Sequence, residues 1–305
     1  MNLAMSAGSM ARCLVAGLIL IAVSLAIITA VRPAGEDLVF AALWIVTVGL
    51  AAAGLITAIR ARRPLVGLGS IMASIGALLA FYWKPMPSPI IWPILFLGGV
   101  LLIAYGSKDD SWHKGTWALV LVRIAVGWGW LDNAQDHLRG TAQTVWVPGG
   151  GQYLTVAKSA LSRGAPPSTQ GAQPYGWFGD AAYLGFLKDV VVPNGDLWAG
   201  LTLSGEMAFG ILLAVGLLTP IAAVGSMWQS ANYTLMKGAF VHGAYTDKVF
   251  FLLAAVCFVT AAGLNYGLDA SLRRIVPGWF AQTFLGVPAP KDEAITSPRA
   301  TAMPA

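Results

Sequence analysis

Two ionisable residues lie deep inside apolar runs in the C-terminal part of the chain, Arg123 and Glu206. An isolated charge at the centre of a bilayer costs at least about 2.5–3.5 kcal/mol, so each asks for a partner or a function. A third apolar run carries Gln229, Asn232 and Tyr233, and Thr202 stands one helical turn before Glu206. With a rise of 1.5 Å per residue, Arg123 sits roughly 9 Å above one edge of the apolar layer, while Glu206 and Asn232 sit roughly 18 Å above it. The long arginine side chain spans much of that gap, which predicts an Arg123–Glu206 pair buffered by Gln229 and Asn232. Such a pair suits proton handling or the grip on a quinone headgroup. In that reading Arg123 and Glu206 are catalytic, while Trp128, Trp130, Gln229, Asn232 and Tyr233 flank a flat ring. The plainer reading is an ion pair that sets helix register.

A second group gathers at the far end of the same run. Asp132 and Asp136 are four apart, as are Asn133 and His137, so they occupy adjacent strips of one helix. His137 with the two aspartates is expected to meet His242, Tyr245 and Asp247 from a later connection. Asp132, His137, Arg139 and His242 are the expected substrate contacts there, and Arg139, Lys158, Arg163 and Lys188 would attract an anion. The spacing of His113, His137 and His242 argues against paired haem ligands. No CxxC, HExxH, GxGxxG or Walker loop is present, so neither a metal nor a flavin is expected. Cys13 and Cys257 fall inside apolar runs and read as buried thiols.

The elements that must hold these residues follow from composition. Charged residues make up 11% and hydrophobic residues 57% of the 305. Soluble domains carry about a quarter charged residues, so this chain has too little polar surface to face water on all sides. The mean hydropathy is +0.68. The apolar residues come in runs long enough to span a bilayer as helices, which satisfy their own backbone groups in lipid. The chain therefore reads as an all-α integral membrane protein that contacts the lipid bilayer and excludes a soluble-enzyme class. The net charge of +5 is scattered, which also sets nucleic acid aside as a partner.

Eight spans are predicted, near 14–31, 38–59, 65–83, 89–105, 117–135, 197–218, 220–236 and 248–266. The first follows Arg12 and is read as a retained span, since it is longer than a signal-peptide core. The densest basic cluster, Arg60, Arg62 and Arg63, shares a side with Lys108, Lys114, Arg273 and Arg274 when eight spans are drawn. The positive-inside rule then places both termini in the cytoplasm of a multi-pass cell-membrane protein. Residues 1–110 form an N-terminal four-helix region and 111–280 a second four-helix domain, with 281–305 as a disordered tail. Within the second domain, 136–196 form an outer insertion with helices expected near 152–162 and 175–191, the latter rich in aromatics and suited to the membrane interface. Polar residues are sparse in the first four spans, so packing is their expected role.

Three short motifs then stand in order on consecutive helices of the second half. They are Arg123-Ile-Ala-Val-Gly127, then Gly205-Glu206 with Gly210 and Gly216-Leu-Leu-Thr219, then Gly263-Leu-Asn-Tyr-Gly267-Leu-Asp269. On these the half resembles the DoxX/DoxD family of four-helix membrane proteins, over roughly residues 115–275. The chain departs from that pattern where it inserts residues 136–196 between the first two helices. The DoxD branch implies a membrane subunit of a thiosulfate:quinone oxidoreductase, which joins two thiosulfates to tetrathionate and passes electrons to quinone. The expected cofactor is thus a quinone, and a second redox subunit is the expected partner because the sequence holds no electron carrier of its own. The alternatives are a non-catalytic membrane scaffold for a redox partner and a small-solute or ion permease. The oligomeric state stays open.

Overall fold

The computed structural model describes residues 8, 11–20, 23, 34–82, 91–107, 117–140, 145–163, 180–237 and 245–287. These residues are helical almost throughout, and no strand occurs among them. In chain order the helices are α1 (Ala11–Leu20), α2 (Gly35–Arg60), α3 (Pro64–Tyr82), α4 (Ile91–Gly106), α5 (Trp117–Arg139), α6 (Gly151–Arg163), α7 (Asp180–Phe186), α8 (Gly195–Val215), α9 (Thr219–Lys237), α10 (Tyr245–Val259), α11 (Leu268–Leu272) and α12 (Gly278–Phe284).

Among the described residues three stretches are long and apolar enough to cross a membrane: Gly35–Arg60, Pro64–Phe81 and Ala182–Val215. Helix α2 shows why. Its buried strip is Val39, Leu43, Thr47, Leu50, Gly54 and Thr57, yet its exposed side carries Trp44, Ile45, Val48, Ile56 and Ile59. A helix that is apolar on both faces has no side made for water. Acids at its start (Glu36, Asp37) and Arg60 at its end also suit the helix dipole. By contrast α9 carries Ser226, Gln229 and Ser230 inward, while α5 buries Arg123 and keeps Asp132 and Asp136 exposed at its distal end, and both have a lower average hydropathy.

The described part of the first expected span is α1; the rest of 14–31 lies almost wholly outside the described residues. Spans two to seven match helices α2–α5, α8 and α9 within a few residues. The last expected span, 248–266, is shortened: α10 stops at Val259 and the chain turns through left-handed Ala261 and Tyr266 (φ 43° and 56°). The break expected at Val192-Pro193-Asn194-Gly195 is only a short 3-10 turn, and α7 runs through a π-helical turn (Leu187–Val191) almost directly into α8. Proline is tolerated there because its missing N–H falls in a first turn. Of the expected tail 281–305, residues 281–287 are described, with Ala281 and Leu285 buried, and 288–305 lie outside the described residues.

Helices α2, α3 and α4 pack side by side, α5 packs on α8, and α9 on α10. Helix α2 also runs along α8, so the boundary expected near residue 110 is crossed by a tight seam. Gly127 of α5 allows the second close approach, since a Cβ there would lie 2.6 Å from Ala214 N and 2.7 Å from Gly210 O. We call the end where α5 begins basal and the end that carries α6 distal. At the distal end the Asp196 carboxylate accepts from Gly35 N (2.8 Å) and Gly149 N (2.6 Å), tying the starts of α2 and α8 to the loop before α6. At the basal end Asp269 of α11 accepts from Leu218 N (2.7 Å) and Thr219 N (2.9 Å), capping α9 from outside its own sequence.

The Asp196 clamp generates a first test. Hydrogen bonds to a charged acceptor contribute about 1.5–3 kcal/mol each, so Asp196→Ala should lower the thermal midpoint of the detergent-purified protein by several degrees. A midpoint unchanged from that of the parent protein contradicts the clamp.

Candidate functional site

Arg123 is fully buried, and it does not meet Glu206. Its Nη1 donates to Ala262 O (3.2 Å) and Asn265 O (3.4 Å), and its Nη2 donates to Tyr266 O (3.4 Å). The guanidinium packs on Gly216, where an added Cβ would overlap it and where φ is +70°. Gly216 stands ten residues beyond Glu206, roughly 15 Å along α8. The expected ion pair is thereby overturned, and the reason is directional. Side chains on a helix lean toward its N-terminus, so Arg123 on α5 leans to the basal end while Glu206 on α8 leans to the distal end. The arginine satisfies carbonyls left open where the chain turns after α10, beside Asp269. Burial raises the Asp269 carboxyl to about 6, against the hydrogen bonds from Thr219 and Leu218 and the charge of Arg123.

Glu206, with no exposed surface, is held by α5 and α9. Tyr233 Oη donates to its Oε1 at 2.6 Å, and His137 Nδ1 lies 2.8 Å from its Oε2. A carboxylate at that position requires Nδ1 to carry the proton. One turn away, Gln229 Nε2 donates to Thr202 O (2.7 Å) and to Tyr233 Oη (3.3 Å). The pattern is a crossed ladder, since Thr202 lies one turn distal to Glu206 on α8 while Gln229 lies one turn basal to Tyr233 on antiparallel α9, so each side chain of α9 reaches past its level neighbour. The His137 ring stacks on Trp146 with 3.5 Å between centroids, and Trp146 N donates to His137 O at 2.8 Å. The imidazole keeps 21% of its surface exposed, so it joins the buried acid to the distal surroundings.

Beside this ladder an apolar slot of about 250 Å³ opens between α8 and α9, with α1 against it. Trp198, Phe209 and Trp228 give it aromatic walls, and Thr202, Gln229 and Asn232 give it polar ones. Gly205 makes room, because a Cβ there would come within 2.6 Å of Gln229 Oε1. Asn232 Oδ1 in turn accepts from Tyr183 of α7 at 2.7 Å. Tyr153 of α6 is buried in the same corner; burial raises its phenol, while hydrogen bonds with the Thr202 and Asn232 side chains oppose the rise.

The structure thus brings Glu206, His137, Tyr233, Gln229 and Asn232 together, sets the Trp130 ring against that of Tyr233 (6.1 Å between centroids), and leaves the other expected residues elsewhere. Trp128 stacks on Trp92 of α4 (5.2 Å), and Trp130 Nε1 donates to Ser226 Oγ (2.7 Å) with its ring on Phe250. Both are packing residues outside the slot walls. Asp132 is exposed and stands five residues from His137, about 140° round the helix. Arg139 ends α5 half-buried, and burial lowers its pKa. His242 lies outside the described residues, while Asp247 is buried and Tyr245 exposed. Among the described residues no cluster of three metal-ligating side chains occurs. Trp146, Tyr153, Tyr183 and Trp198 were not singled out as site residues; their signal was an aromatic-rich insertion that adjoins the Glu206 helix in sequence.

A double-mutant cycle separates the observed pairing from the expected one. Glu206→Gln with His137→Phe should show coupling of roughly 1–2 kcal/mol in unfolding free energy, and Glu206→Gln with Arg123→Met less than about 0.5 kcal/mol. The reverse order of coupling would restore the Arg123–Glu206 pair.

No curated protein and no solved structure matches the chain. A family model, that of DoxX, matches residues 170–243, so the stretch that carries Glu206, Gln229, Asn232 and Tyr233 is similar to the DoxX family.

Proposed function

We propose that this chain is a multi-pass subunit of a quinone-linked membrane oxidoreductase of the DoxD type. The observation that carries the reading is the position of Gln229. It lines the apolar slot and also donates into the Tyr233–Glu206 bond, so one side chain links a ring-sized cavity to a proton-holding cluster. A bound quinone would supply two-electron redox chemistry coupled to two protons. The chain's own residues would do the rest. Trp198 and Trp228 flank a flat ring, and Gln229 and Asn232 offer amide groups to its oxygens. The His137 Nδ1 proton is directed at Glu206 Oε2, and the pair would pass a proton between the slot side and the distal side. Electrons must come from a partner redox subunit, for which thiosulfate is the donor implied by the family resemblance. Lys158 and Lys188, both exposed at the distal end, favour an anion there.

The same reading keeps eight spans, with both termini cytoplasmic and residues 136–196 outside. It is supported by Arg60, Arg62, Arg63, Arg273 and Arg274, which gather at the end opposite α6. A cysteine placed at Ser168 should react with an impermeant thiol reagent in intact cells; protection there until the cells are opened inverts the orientation.

Purification with native lipids, followed by solvent extraction and mass spectrometry, should recover a quinone. A short-chain ubiquinone analogue should quench tryptophan fluorescence in the parent protein. Gln229→Leu should weaken that quenching about tenfold, as expected when a buried hydrogen-bond donor is lost. Glu206→Gln, which lies behind the slot wall, should leave binding nearly unchanged while slowing proton-coupled turnover. Absence of both co-purified quinone and quenching would sink the proposal.

A further inference from the structure

A second cavity, of about 680 Å³, lies at the basal end on the outer flank of the bundle. Its walls are α2 from Ile45 to Arg60, the α8–α9 turn at Leu217 and Leu218, and the segment from Leu272 to Phe280. Every lining residue but Arg60 is apolar, glycine or proline. The stretch of α2 involved, Ile45 to Arg60, is sixteen residues and rises roughly 22 Å. One leaflet of a bilayer is about 15 Å thick in its hydrocarbon part, so the groove runs from one membrane surface past the midplane.

The mouth of the groove is basic. Arg60 forms its rim, and exposed Arg62, Arg273 and Arg274 lie within two residues of its wall. Among the described residues the acid at this end is Asp269, which is fully buried against the amides of Leu218 and Thr219. Helix α12 closes the groove and leaves Trp279 65% exposed beside partly buried Phe280 and Phe284, the pattern of a helix lying in the membrane interface. We infer that this groove is a binding site for an anionic glycerophospholipid, with one acyl chain along α2 and the headgroup phosphate at Arg60. Cationic residues near the surface attract such headgroups, and a groove one leaflet deep fits a chain rather than a soluble ligand. The site is separate from the slot at Gln229 and does not depend on the quinone reading.

The test uses the full chain in nanodiscs of phosphatidylcholine doped with phosphatidylglycerol, then mild detergent extraction and native mass spectrometry of retained lipid. Phosphatidylglycerol should be retained in preference to phosphatidylcholine. Arg60→Gln, at an exposed position, should lower that preference about fivefold, the worth of one cation near the surface. Gly49→Leu fills the groove without a clash, since a Cβ there meets nothing within 4 Å, and it should release both lipids. A control at the distal end, Lys158→Gln, should change neither. Equal retention of the two lipids, or retention indifferent to both groove variants, overturns the assignment. Displacement of phosphatidylglycerol by inorganic phosphate from Gly49→Leu and parent protein alike would also overturn it, because the chain would then contribute nothing.

Discussion

Glu206 sits fully buried where three helices meet, and its two oxygens are shared between α5 and α9. A buried acid of this kind is costly unless each lone pair finds a donor. That requirement sets the register of α8 against both neighbours. Tyr233 must come within reach of Glu206, Gln229 within reach of the Thr202 carbonyl, and His137 must lie at the distal end of α5 with its ring turned inward. Trp146 locks that ring from the other face, so the loop before α6 is drawn into the same arrangement. The proton-holding cluster and the slot wall are therefore products of one packing constraint.

The basal end solves the same problem with different chemistry. A helix that ends inside a bundle leaves carbonyls without partners, and α10 ends early. Arg123 answers carbonyls of the turn that follows α10 (Ala262, Asn265 and Tyr266), while Asp269 answers the open amides at the start of α9. Glycine permits the closeness at Gly216, whose left-handed backbone and missing side chain leave space for the guanidinium. The two charges thus bind backbone groups at chain turns. Between these polar clusters the seam of α2 on α8 is almost wholly apolar, and the lipid groove forms where that seam widens toward Arg60.

The insertion has a role in the site as well as over it. Tyr153 reaches Thr202 and Asn232, and Tyr183 fixes the Asn232 amide, so α6 and α7 set polar groups that line the slot. The short π and 3-10 turns make α7 nearly continuous with α8, which transmits its position directly to Glu206.

Sequence by itself determined that the chain is helical and built for a membrane, because the length and polarity of apolar runs report directly on the solvent a helix can face. It also determined that Glu206, Gln229, Asn232 and Tyr233 stand on neighbouring faces, because spacing of three and four places residues on one side of a helix. The partner of each buried charge was decided only by tertiary structure. Depth along the helix put Arg123 within reach of Glu206, but side-chain direction on antiparallel helices carried the two apart, and that direction depends on which way each helix runs. His137 reads in sequence as an end-of-span residue among aspartates, and only the rotation of α5 against α8 turns it inward while leaving Asp132 exposed. The slot likewise could not be read from Trp128 and Trp130, since aromatic residues pack or line a cavity according to which neighbour is missing. A gap between helices is a property of packing, and no local pattern of residues encodes it.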